Sequence, residues 1–150
     1  MTKLAGLGSF EGKTHILPIS IYYEDTDLSG VVYHANYLRY MERGRTEFFR
    51  LAGISKMAGL DQDEPTAWTL RSVQVDYHRP ARLDDVIQVR SVLVGLSGAR
   101  MKALQRITCG ETLLVVGRIE ACITTLTGKP RRLPQNVLQT LAPFLVADET

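Results

Sequence analysis

The chain has 150 residues, 45% of them hydrophobic and 23% charged, with 18 basic and 16 acidic side chains for a formal charge of +2. That supplies enough apolar material for one globular domain with a substantial core, and it excludes intrinsic disorder. The near balance of charge leaves no basic footprint, so neither nucleic acid nor an anionic membrane is an expected partner.

The sequence contains no continuous apolar stretch of 18 residues, and residues 1–13 lack the apolar centre of an export signal. A cytoplasmic protein with no stable membrane insertion is therefore expected. Cys109 and Cys122 fall in strand-like segments without a C-x-x-C spacing or a partnering histidine cluster, and are expected to be reduced and packed.

Taken in chain order, residues 1–14 read as a flexible leader, followed by one domain over 15–145 and a tail at 146–150. A first strand is predicted over 16–23, where Ile19, Ile21 and Tyr23 alternate with Ser20 and Tyr22. An acidic turn follows. Apolar residues then recur at Tyr37, Tyr40, Met41, Gly44, Phe48 and Leu51, a spacing of three and four that defines one face of a helix ending before Gly53. Glycine in that face costs about 1 kcal/mol relative to alanine, so Gly44 points to a tightly packed neighbour.

Beyond a Gly-, Asp- and Pro-rich loop at 59–65, the pattern changes to strands at 68–77, 85–96, 100–108 and 112–127. The third of these alternates least cleanly. Ser97-Gly98-Ala99 and Cys109-Gly110-Glu111 read as hairpin turns joining the last three strands into an antiparallel meander. A short helix is predicted within 134–145. One long helix after a first strand, then four strands, is an α+β pattern in which a five-stranded antiparallel sheet wraps round the helix. Strands 85–96 and 112–125, apolar on both faces, suggest further coverage by a second subunit.

The richest chemistry lies within 22–49, where Glu24-Asp25-Thr26-Asp27 runs into the helix start. Exposed N–H groups and the helix dipole attract developing negative charge there, while an ionised carboxylate can attack or deprotonate. Asp25 and Asp27 share a face if the segment is extended, so spacing alone does not choose between them.

The runs Tyr23-Glu24-Asp25-Thr26-Asp27, Gly30-Val31-Val32-Tyr33-His34-Ala35-Asn36-Tyr37 and Arg39-Tyr40-Met41-Glu42 closely resemble the signature of YbgC-type acyl-CoA thioesterases, within the 4-hydroxybenzoyl-CoA thioesterase family of hotdog folds. The resemblance extends to Val73-Gln74-Val75-Asp76-Tyr77-His78-Arg79-Pro80-Ala81 and covers roughly residues 15–130. It implies a hotdog fold, dimers joined edge to edge, and active sites at the dimer interface. It places the catalytic carboxylate on Asp27 and the oxyanion contact on the backbone N–H of His34.

Asp27 then acts either as a nucleophile or as a general base; an ordinary aspartate, with a pKa of about 3.9, is a weak base but a fully ionised nucleophile at neutral pH. Substrate contacts are expected from Tyr33, Asn36, Tyr37, Arg79 and Arg100. Arg82 and the Lys129-Pro130-Arg131-Arg132 run are further candidates for the phosphates of coenzyme A. At the 97–99 hairpin, where aromatic-thioester relatives carry basic residues, this chain has Ser97-Gly98-Ala99.

The three histidines, His15, His34 and His78, show no metal-ligand spacing, so no catalytic metal is expected, and no cofactor beyond the coenzyme A of the substrate. The expected partners are acyl-CoA and other copies of the chain, as a homodimer or homotetramer, with acyl carrier protein a partner implied only by the resemblance. Three rival readings stand beside this one. The strongest rival enzyme is a hotdog hydratase or dehydratase acting on acyl chains, which pairs a catalytic His with an Asp or Glu through motifs not visible in this sequence. A related branch places its carboxylate on the central helix, which would promote Glu42 or Glu47; and the same pocket could bind acyl-CoA or acyl carrier protein without turnover.

Overall fold

The structure, a computed structural model, describes residues 8–54 and 63–148. Among these, the strands β1 (Ser9–Glu11), β2 (Thr14–Ser20), β3 (Thr66–Tyr77), β4 (Val86–Ser97), β5 (Arg100–Cys109), β6 (Thr112–Thr125) and β7 (Pro130–Arg131) make one antiparallel sheet. The long helix α1 (Asn36–Ala52) lies between β2 and β3 in the chain, and α2 (Gln135–Leu141) follows β7. The sheet order is β1-β2-β4-β5-β6-β3, with β7 added beside β6. Five long strands around one long helix match the α+β hotdog expectation, and β1 and β7 are the two short additions. No helix of the described residues is long and apolar enough to cross a membrane.

α1 forms because its apolar stripe meets the inner face of the sheet. Tyr37, Tyr40, Met41, Gly44 and Phe48 are buried as their spacing predicts, and burying each large side chain contributes roughly 1.5–3 kcal/mol. Phe49 is buried as well, against Trp68, whereas Leu51 in the last turn stays partly exposed. Gly44 is a point of close approach: a Cβ there would stand 2.7 Å from Val89 Cγ1 and 3.0 Å from Gln105 Nε2. The helix ends at Gly53, whose φ of 116° provides the left-handed cap and whose N–H returns to Phe49 and Arg50.

The meander follows from two tight turns, with Ser97 paired to Arg100 and Cys109 to Thr112. Gly98 and Gly110 take the first turn position with φ of 48° and 58°, where a type II′ hairpin requires a positive value.

The leader expected over 1–14 needs correction. Residues 9–11 pair with 14–16 as β1 against β2, because Phe10 has a pocket to fill: its ring lies 5.0 Å from Phe48 and 4.7 Å from Phe144. Residues 1–7, and most of the loop expected at 59–65, lie outside the described residues. The predicted tail is also partly anchored, since Val146 N–H donates to Leu93 O and Asp148 pairs with Arg118 at 3.5 Å. The first strand stops at Ser20, short of the predicted 23, because the Tyr23–Asp25 segment coils into a 3₁₀ turn.

Candidate active site

That 3₁₀ turn decides where each acidic side chain goes. Asp25 closes it: Oδ2 accepts Tyr22 N–H at 2.8 Å, and the Asp25 carbonyl accepts both Tyr33 N–H and Asn36 Nδ2 at 2.9 Å. Because the segment is coiled, Asp25 and Asp27 do not present their carboxylates to one face as an extended strand would. Asp25 is the fastening of the loop, and Asp27 is left on its outer side.

Asp27 opens a small turn of its own. Thr26 bridges to Val32, Asp27 N–H donates to Val31 O, and Gly30, at φ 80°, donates to Asp27 O. Both the Ser29 N–H, at 2.8 Å, and the Ser29 hydroxyl donate to Asp27 Oδ1. The Ser29 hydroxyl, and then its N–H, hold the exposed Asp27 carboxyl below the ordinary value of 3.8, so it is ionised at neutral pH. An Asp followed two residues later by Ser is the sequence signal for this Asx-type turn. Ser29 was not among the predicted site residues.

His34 sits two residues before the first helical residue. Ala35, the N-cap, already has helical dihedrals of −71° and −20°, and Asn36 N–H donates to Tyr33 O at 2.9 Å. In a trans peptide N–H and C=O point in opposite directions, so a Tyr33 carbonyl turned toward the helix directs the His34 N–H outward from its positive end. Among the described residues no backbone carbonyl accepts that N–H. The next peptide is fixed by Tyr77, whose hydroxyl donates to His34 O at 2.9 Å. Tyr77 belonged to the resemblance segment but not to the predicted site.

The remaining predicted residues separate by position. Tyr33 is exposed and its ring lies 4.5 Å from that of His34, with the Tyr77 ring 6.4 Å from His34. Asn36 makes no side-chain helix cap and ties the helix start to Asp25 instead. Tyr37 is buried, and its hydroxyl accepts Ala81 N–H at 3.0 Å; burial raises its pKa. That bond, with Val32 N–H donating to Ala81 O, brings the 79–85 loop against the base of the Asp27 turn. Arg79 therefore lies at the same end of the molecule, beside Arg82, Asp85 and Cys109 in an open cleft of about 320 Å³.

Arg100 does not. It stands opposite Cys122 on β6, whereas Tyr77 stands opposite Val115. Those seven residues of strand separate the two positions by roughly 23 Å. Arg100 forms an ion pair with Glu120 at 3.4 Å, and Arg131 of the basic run pairs with Glu64. Of the rival helix carboxylates, Glu42 is exposed and Glu47 forms a pair with Arg50 at 2.9 Å.

Residues 22–141 match the thioesterase-like superfamily. The chain belongs to that superfamily. It is 37% identical to the acyl-CoA thioester hydrolase YbgC of Escherichia coli over 123 residues, covering 81% of this chain and 90% of the relative. It is 34% identical to the acyl-CoA thioesterase YbgC of Haemophilus influenzae, covering 80% and 88%. Among solved structures, a probable thioesterase from Bartonella henselae superposes with a TM-score of 0.77 at 38% identity, covering 81% of this chain and 98% of that one. This thioesterase-like chain thus shares fold and most of its length with proteins named for the chemistry that its helix-start motif resembles.

Proposed function

We propose that the protein hydrolyses acyl-CoA thioesters to a free carboxylic acid and coenzyme A. The observation that carries this reading is the pairing of an ionised, outward-facing Asp27 turn with a helix start whose His34 N–H also points outward. The named activity of the YbgC relatives supports it. A thioester carbonyl seated over the His34 N–H gains negative charge in the transition state, where that donor and the helix dipole act most strongly.

Asp27 attacks the carbonyl carbon, the C–S bond breaks, and coenzyme A leaves as thiolate; water then hydrolyses the mixed anhydride. General-base activation of water by the same carboxylate is the alternative course. Ionisation at neutral pH favours attack, because a carboxylate held below the usual range is a poor base.

The working unit in this proposal is a homodimer or a larger even assembly. Among the described residues β3 ends the strand order, and its outer edge has no neighbour over twelve residues. Leu70, Val73 and Tyr77 on that strand, and Tyr23, Leu28 and Tyr33 near the Asp27 turn, are all exposed. A long unpaired edge beside apolar side chains is a surface to be covered. Antiparallel pairing of two β3 strands would bring the Arg100 end of one protomer toward the Tyr77 end of the other, giving Arg100 a route to substrate phosphate that it lacks within one chain. Acyl carrier protein is a further proposed partner, and the cytoplasm the proposed location.

Thiol release from short-chain, long-chain and aromatic acyl-CoAs tests the activity, with sedimentation to count subunits. Saturable binding of acyl-CoA without thiol release from any of them would replace the enzyme by a binding module, a reading favoured by one observation: Ser29 already occupies one oxygen of Asp27.

A further inference from the structure

Beneath the loop that carries Asp27 lies a polar group with no evident task. Tyr40 is 1% exposed, and among the described residues its buried hydroxyl makes no well-formed hydrogen bond. Such an orphan destabilises the fold, and phenylalanine would fill the same space without it. The ring itself is well packed, edge-on to Tyr37 at 6.0 Å with the Arg43 guanidinium 6.0 Å from its centroid.

Its neighbour explains the hydroxyl. Tyr40 lies one helical turn after Asn36, so both project on the same side of α1. Asn36 is bonded to Asp25 O. Asp25 uses Oδ2 for Tyr22 N–H, and among the described residues Oδ1 accepts no hydrogen bond. Burial first, and then the charge of Asp25, raise the pKa of Tyr40, which keeps it a neutral donor facing a carboxylate. Asp25 also lines an open groove of about 370 Å³ between β2 and α1. Donor and acceptor thus lie close enough to interact yet short of a well-formed hydrogen bond, on the residue that fastens the Asp27 turn to the helix start. Hydrogen bonds of this kind in unliganded sites commonly tighten only when substrate is bound.

We propose that Tyr40 is a positioning residue: as the 24–33 segment closes over an acyl substrate, the Tyr40 hydroxyl donates to Asp25 Oδ1 and seats the Asp27 turn against the helix start. Tyr40 touches neither substrate nor reacting atoms, and acts through Asp25. The inference rests on the assignment of Asp27 as the reacting carboxylate.

The test compares wild type, Tyr40→Phe, Asp25→Asn, the double variant and Asp27→Asn in the full chain. Tyr40→Phe is expected to leave the melting temperature unchanged or raised, to keep KM within about twofold, and to lower kcat about tenfold. The double variant is expected to be no slower than Asp25→Asn alone, because both changes remove one interaction. A second readout needs no turnover: a non-hydrolysable thioether analogue of hexanoyl- or palmitoyl-CoA should slow amide exchange over residues 26–33 in wild type, and distinctly less in Tyr40→Phe. Unchanged kcat and unchanged exchange protection in Tyr40→Phe overturn the proposal, as does a lowered melting temperature that shows the hydroxyl to be structural. Full activity of Asp27→Asn instead overturns the catalytic assignment beneath it, and the exchange comparison then still decides whether Tyr40 seats the loop.

Discussion

The first turn of α1 and its middle are parts of one helix with opposite characters. Near Gly44 the Gln105 amide is fully used: Gln105 is buried, its Oε1 accepts Arg45 Nη1 at 2.9 Å, and its Nε2 donates to Met41 O at 2.8 Å and to Ser91 Oγ at 2.9 Å. That arrangement satisfies both ends of the amide and pins the helix backbone to the sheet. One to three turns earlier, among the described residues, the His34 N–H has no backbone acceptor and the Tyr40 hydroxyl no well-formed hydrogen bond, and Tyr33, with Tyr77 from β3, is exposed. Rigidity in the middle lets the end leave polar groups uncommitted. A site that must receive developing charge needs donors not already spent on the fold, held on an element that does not yield.

The comparison breaks most sharply at Asp27. Asp27→Asn keeps the shape of the turn and removes the charge, so turnover should fall at least about a hundredfold with acyl-CoA binding retained, the scale of losing one essential group. Steady-state kinetics with equilibrium binding checks both halves; near-normal kcat would move the chemistry to Asp25 or to the helix glutamates.

The next effect belongs to the middle and should appear in stability. Gln105→Leu fills the space but leaves Arg45, half-buried and already lowered in pKa by desolvation, without its acceptor. We expect a loss of about 2 kcal/mol, a drop of roughly 4–8 °C in melting temperature, with kcat within about threefold below the transition. A kcat that collapsed in the still-folded variant would show that the middle participates in the chemistry, and the division drawn above would fail.

The two halves of the helix were not equally legible. Its stripe could be read because burial imposes a period: Tyr37, Tyr40, Met41, Gly44 and Phe48 all face the core, and glycine within that stripe foretold the contact with Val89. Gln105 could not. A polar residue on the inner face between Ala103 and Ile107 breaks the apolar alternation of β5, which is why that strand looked irregular. β1 was missed for a related reason, since a single Phe10 among glycines carries no period and its pockets on Phe48 and Phe144 are distant in sequence.

At the site, the motif led to Asp27 and His34 by resemblance, while the separation of Asp25 from Asp27 depended on a 3₁₀ turn that alternation had read as strand. Arg100 was grouped with Arg79 by charge alone, and strand register puts them at opposite ends of the sheet.

A smaller change probes how tightly the middle is closed. Gly44→Ala gains up to about 1 kcal/mol of helix propensity, but its Cβ would press on Val89, a branched side chain with little freedom to move. Overpacking typically costs about 1–3 kcal/mol, so a net loss near 1 kcal/mol and a fall of about 2–4 °C in melting temperature are expected. An increase in melting temperature would show that α1 can lift from the sheet without penalty.

The smallest effect is one of pH, and it separates the two courses open to Asp27. A carboxyl whose folded pKa is depressed contributes stability that is present above its unfolded value, near 3.8, and is lost as pH falls through the lower folded value. Because the group is exposed, that contribution is minor, and its loss belongs below pH 4. The same ordering governs catalysis. The acid limb of kcat/KM reports the free enzyme, where Ser29 holds the carboxyl low, so between pH 5 and 8 Asp27 should add no acid limb to kcat/KM. Attack by the carboxylate predicts the same flat profile for kcat. A base working in a site dried by substrate would instead lift the kcat limb above pH 5 while kcat/KM stayed level, since burial raises a carboxyl pKa. Paired profiles of kcat and kcat/KM therefore distinguish nucleophile from base, and an acid limb in kcat/KM above pH 5 that persists in His34→Gln would contradict a carboxyl held low by Ser29.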